Sequence, residues 1–245
     1  MKKFNFLSIT MVISIMFLSC KTEFQKGETK EIQHINIALV LDGSDVMTQE
    51  NSIPIVSVEE MADWAKAIST NGMGAISVTY VDSDVDNNGA PAIFSWREEP
   101  PSELGKKPNS ESVSAWRRKK SENESKKKDY ERSLAAASSK FQKECEDIHR
   151  KAYNELVYSP KKGSDINGAI NQAYHVLLAS KEEGDRCYMV LVSDGIDNRG
   201  KELSPISPEI EVILVCSNAS RHQYGSLVTK EFATLEQAKR YIFSK

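Results

Sequence analysis

Beyond residue 20 the chain has no apolar run long enough to cross a bilayer. It has only four cysteines in 245 residues and no Cys-x-x-Cys pair, which argues against a zinc site. Its four histidines, His34, His149, His175 and His222, are scattered, and none stands in a recognisable nucleophile motif. His175, beside Tyr174, reads as a packing residue. There is no glycine-rich phosphate loop, so phosphoryl transfer has no cradle. The formal net charge is −3 and no aromatic–basic platform is visible, which argues against nucleic acid.

The first twenty residues differ from the rest. Lys2 and Lys3 are followed by the apolar Phe4 to Leu18, then Ser19-Cys20. This is the pattern of a secretory signal, too short and wrongly flanked for a membrane span. Phe17-Leu18-Ser19-Cys20 resembles a bacterial lipobox, with the leucine one place late. The expectation is a lipid on Cys20 and a place in the cell envelope, periplasmic or surface-exposed. Residues 1–19 are then the signal, and 20–33 the lipidated cysteine with a polar tether. Cys145, Cys187 and Cys216 remain. Cys187 opens one strand and Cys216 ends the next, too far apart for a disulfide if those strands are parallel, and all three read as packing residues.

Apolar runs at 35–41, 75–81, 92–96, 188–192, 212–215 and 227–232 read as strands. Ser57-Val58-Glu59-Glu60 is a capping-box pattern ahead of Met61, Trp64, Ala65 and Ile68 at helical spacing. A helix over 168–179 and a closing helix after Thr234-Leu235-Glu236-Gln237 complete the alternation. The turn-rich Asp82–Gly89 implies an antiparallel hairpin, and Pro91 suits an edge strand. Asp82–Gly89 is similar to the start of a calcium loop, but Asn87 and Ile93 stand where glycine and glutamate belong. The fold class is therefore α/β: a Rossmann-like, doubly wound, mostly parallel sheet with one antiparallel edge strand. It occupies 34–96 and 160–245. Residues 97–159 form a highly charged helical insertion, with one apolar stripe from Tyr130 to Leu156 and a polar stretch, Lys106–Asp129, with little to order it.

Two strands end alike. Ala38-Leu39-Val40-Leu41 leads into Asp42-Gly43-Ser44, and Val190-Leu191-Val192 leads into Ser193-Asp194-Gly195. The carboxyl ends of parallel strands are where open α/β sheets bind ligands. With Gly163-Ser164-Asp165 before a helix, these three loops resemble the metal-ion-dependent adhesion site of von Willebrand factor A domains. The first loop of that family reads Asp-x-Ser-x-Ser; here Asp42 and Ser44 match and Val46 does not. Ser164 takes the place of the second loop's threonine, and Asp194 that of the third loop's aspartate. The resemblance implies Asp42, Ser44, Ser164 and Asp194 as ligands of Mg2+ or Mn2+, with an open coordination position for an acidic side chain of a protein partner. Val46 cannot coordinate, so the site is degenerate. Asp45 and Asp165 flank it as auxiliary ligands or, the plainer reading, as solvated turn carboxylates.

The reading is a binding module, not an enzyme. Its alternative keeps the fold but not the metal: an assembly module that binds through the basic clusters Arg117, Arg118, Lys119, Lys120 and Lys126, Lys127, Lys128. Those clusters have a lipid headgroup, an acidic protein or a second copy of the chain as candidate partners; a solvated helix face is their bland explanation. A hydrolase using the same metal has no general base beyond the site's own aspartates.

Overall fold

The computed structural model describes residues 34–43, 53–71, 73–81, 89–155, 164–197, 199–216 and 223–244. Cys20, the tether, Ser44, Asp45, Val46 and the calcium-like stretch 82–88 lie outside them.

Six strands form one sheet: β1 (Ile35–Asp42), β2 (Gly74–Val81), β3 (Ala92–Trp96), β4 (Arg186–Val192), β5 (Ile210–Val215) and β6 (Lys230–Phe232). Their spatial order is β3-β2-β1-β4-β5-β6. Every pairing is parallel except β2–β3, which is antiparallel as the short connection implied. Among the described residues the α-helices are α1 (Val58–Asn71), α2 (Val113–His149), α3 (Ile166–Ser180) and α4 (Leu235–Phe243). Alternation along the strands sends Ile37, Leu39 and Leu41 to one face and Ala38 and Val40 to the other. The first face is covered by α1, α2 and α4, and the second by α3. β1 is buried along its whole length, which is why its sequence reads as an unbroken apolar run rather than an alternation.

The capping boxes form as their sequences imply. Glu60 N–H donates to Ser57 Oγ (3.1 Å) and Ser57 N–H to Glu60 Oε2 (2.8 Å). Thr234 and Gln237 do the same for α4. β6 starts at Lys230 rather than at Leu227, because the N–H groups of Leu227 and Val228 both turn back to the Tyr224 carbonyl. His175 is solvent-exposed on α3, so it packs no core. Cys145, Cys187 and Cys216 are free thiols and all buried.

The largest departure is α2. It begins not near Tyr130 but at Val113, and runs 37 residues, about 55 Å at 1.5 Å per residue. Residues 113–129 are therefore helical despite their polarity. Ser112 caps the start by accepting from Ala115 N–H. Arg118–Glu122 and Lys120–Glu124 pair one turn apart. The preceding strap also lies against the helix, through Asn123 Nδ2 donating to the Ser102 carbonyl (3.2 Å) and Lys119 meeting Glu111 (2.6 Å). The apolar stripe behaves as its spacing implies: Phe141, Cys145 and Ile148 are buried, with Tyr130, Leu134 and Ala137 packed against the core. Phe94 meets Phe141 at 5.9 Å, and Trp96 meets Tyr130 edge-on at 5.3 Å. The helix gives way to a π-turn over Arg150–Glu155; Leu156, the expected end of the stripe, lies outside the described residues.

At the amino ends of the strands, Asp185 ties its own loop to the start of β1 and to the end of β3. It accepts from Asn36 Nδ2 (2.7 Å), Arg97 (3.1 Å) and Glu182 N–H (2.8 Å), with His34 Nδ1 at 3.3 Å.

Candidate functional site

In the strand order, β1 and β4 are neighbours whose onward connections diverge to opposite sides of the sheet. The crevice beyond their carboxyl ends is the switch point at which doubly wound sheets bind ligands. Asp42 and Ser193-Asp194 sit there because Leu41 and Val192 are register partners. Asp42 is 1% exposed. Ser193 holds it: its hydroxyl donates to Asp42 Oδ2 (2.7 Å) and accepts from Gly195 N–H (2.9 Å). Asp194 is half-buried, and its Oδ1 accepts from Ile196 N–H (2.9 Å), the turn that an Asp-Gly pair favours.

The second loop reaches the same end. Ser164 is 4% exposed and precedes Asp165, the N-cap of α3. Asp165 is not the solvated turn carboxylate of the plainer sequence reading. It is fully buried, with Oδ1 accepting from Gly168 N–H (2.9 Å) and Oδ2 against Lys201 Nζ (2.8 Å). Gly168 is required here, since a Cβ would stand 2.4 Å from Asp165 Oδ2.

Four residues that sequence reasoning missed complete the surroundings. Asp197 accepts from Asn167 N–H through Oδ2 (2.9 Å) and from Arg199 and Gly200 N–H through Oδ1. Asn167 in turn donates to the Lys201 carbonyl (2.6 Å) and accepts from the Tyr224 hydroxyl (2.7 Å). Asp197 had a signal, three places after Asp194. Asn167, Lys201 and Tyr224 had none, because loop contacts follow no period. Burial pushes the Tyr224 phenol far above its ordinary value, and the negative charges of Asp197, Asp42, Asp165 and Asp194 push it further. One phenol thus senses all four carboxylates. Burial does the same to Tyr153, opposed by the Val56 N–H that its hydroxyl receives and reinforced by Asp42 and Glu60.

The π-turn after α2 closes one side. A Cβ on Gly43 would stand 1.8 Å from the Ala152 carbonyl oxygen, so only glycine fits where the first loop leaves β1. That turn therefore presses on the backbone beside Asp42.

Chemically, the described donors are two carboxylates and serine hydroxyls. These hard oxygens suit a magnesium-class cation better than a soft metal. Among the described residues, no three His, Cys, Asp or Glu side chains gather closely enough to hold a metal by themselves. Such an ion would draw on Asp42, Ser164 and Asp194, and on the first loop. The basic residues Arg117 to Lys120 and Lys126 to Lys128 belong elsewhere, on the part of α2 that runs past the opposite edge of the sheet.

The chain matches no model of a known protein family, no curated protein and no solved structure.

Proposed function

We propose that this chain is an exported, lipid-anchored binding module of the von Willebrand factor A type, with a degenerate metal-ion-dependent adhesion site. The observation that supports the reading is that Asp42 and Ser193-Asp194 end the neighbouring parallel strands β1 and β4 of a sheet ordered β3-β2-β1-β4-β5-β6, with the buried Ser164 just ahead of α3. Asp42, Ser44, Ser164 and Asp194 hold Mg2+ or Mn2+, and the ion offers a coordination position to a partner's carboxylate. Its chemistry here is attraction and orientation of an acidic ligand. The residues around it fix the loops: Ser193 orients Asp42, and Asp165, paired with Lys201, caps α3.

A second reading rests on that ion pair and on Gly43. An ammonium already neutralises one site carboxylate, and the Ala152 carbonyl limits how the first loop can rearrange. The same fold then serves as a metal-independent assembly module.

The test is capture of envelope proteins on the immobilised chain, with Mg2+, with a chelator, and with Asp42→Ala or Asp194→Ala. The adhesion reading expects partners released by the chelator and absent from both variants. Partners indifferent to all three, and lost when α2 is altered, would leave the assembly reading.

A further inference from the structure

We infer that the projecting end of α2 and its strap form a docking element for an anionic lipid surface. The sheet sets the frame. Ile35 pairs with Gly74, and Gly74 with Trp96, so these residues mark the amino edge of β1. Trp96 meets Tyr130, which places Tyr130 at that edge. α2 then ascends along the sheet to the carboxyl edge, where Ala152 meets Gly43. The seventeen residues 113–129 therefore extend about 25 Å below the amino edge. The strap descends beside them from Arg97, joined by Glu103–Lys127, Ser102–Asn123 and Glu111–Lys119.

The tip has the chemistry of a membrane interface. Residues 104–120 contain six lysines and arginines and one acidic residue, Glu111, which is paired with Lys119. Arg118 is 80% exposed, and its pairing with Glu122 is of the weak, solvent-screened kind. Among these charges stand the exposed Leu104 and Val113 and the half-buried Trp116. Basic side chains around a tryptophan and exposed aliphatics suit a negative headgroup layer, which attracts each cation and accepts the amphipathic ring.

Connectivity allows the arm to face the membrane. The chain enters the domain at His34, on the same edge, where His34 contacts Arg97. The thirteen residues between Cys20 and His34 reach at most about 45 Å. This orientation rests on the proposed lipid at Cys20. With it, the arm lies on the membrane side and the Asp42–Asp194 crevice faces away, toward a partner. The basic arm then fixes a standing geometry that a single lipid chain, a marginal anchor, does not provide.

The experiment is flotation of the lipid-free chain from Thr22 with vesicles, followed by tryptophan emission. The core residues lie between Ile35 and Ile242, so this chain keeps the fold. Vesicles containing about one-third phosphatidylglycerol should carry it at low ionic strength, and phosphatidylcholine alone should not. Emission should shift to the blue, and Trp116→Phe should lose the shift, because Trp64 and Trp96 are already buried. Reversing Arg117, Arg118, Lys119 and Lys120 to Glu should weaken partitioning about tenfold or more, and changing the same four to Gln should weaken it without straining the helix. No flotation, or flotation that the Gln variant retains, overturns the inference. So does a concentration-dependent dimer that the Gln variant abolishes without any vesicle binding, which would assign the arm to a second copy. The anchor is judged separately, by the mass of the full chain from membranes beside Cys20→Ala, so either idea can fail alone.

Discussion

At the scale of the residue, the candidate site depends on single atoms. Asp42 stays buried because the Ser193 hydroxyl donates to it while receiving the Gly195 N–H. Ser193→Ala should leave that carboxylate short of a donor and cost about 1–3 kcal/mol in urea denaturation. Gly43→Ala should cost more, about 3 kcal/mol or above, since its methyl would meet the Ala152 carbonyl and one of the two segments must move. Asp185 makes a pH prediction. Burial alone would raise its carboxyl, but the Glu182 N–H, Arg97 and Asn36 together hold it below the ordinary 3.8. A group lowered on folding stabilises fully above its unfolded value, and that stability is lost as pH falls through the folded value. Thermal midpoints should therefore decline below about pH 4. Asp185→Asn should flatten that decline while lowering stability at neutral pH, because Arg97, Asn36 and the Glu182 N–H lose the charged acceptor they share, although Arg97 keeps Glu182.

At the scale of the element, α2 joins two regimes. From Tyr130 to Ile148 it is a core helix; from Val113 to Asp129 it is held by its cap, its strap and exposed ion pairs. Amide exchange should show it, with protection strong around Phe141–Ile148 and much weaker over 113–129. Phe141→Ala should cost about 3–5 kcal/mol, and Lys126→Ala should be near neutral. The same division explains what was legible. Strands β1 to β5 announced themselves because each is buried on one or both faces, and a buried face forces a periodic or continuous apolar pattern; β6, two exposed residues and a half-buried Phe232, carries no such pattern. The stripe at Phe141, Cys145 and Ile148 was visible for that reason. The helix over 113–129 was not, because its support is a cap and i,i+4 charges rather than an apolar stripe. At the site, Asp42, Ser164 and Asp194 stood out as strand ends and a helix start. Asp165 was misjudged because its partner, Lys201, comes from a loop 36 residues away in sequence.

At the scale of the whole molecule, the sheet separates two surfaces. Its carboxyl edge gathers Asp42, Asp165, Asp194 and Asp197 near Tyr224, and its amino edge carries the basic arm. In the proposed function the first surface meets a partner and the second fixes orientation. Its central claim is that the carboxylate edge binds a divalent cation despite Val46. The direct measurement is calorimetric titration of Mg2+ and Mn2+ into the chain from Thr22, beside its Asp194→Ala variant. The account predicts saturable binding to the parent and none to the variant. No heat in the parent, or the same heat in both, would contradict it.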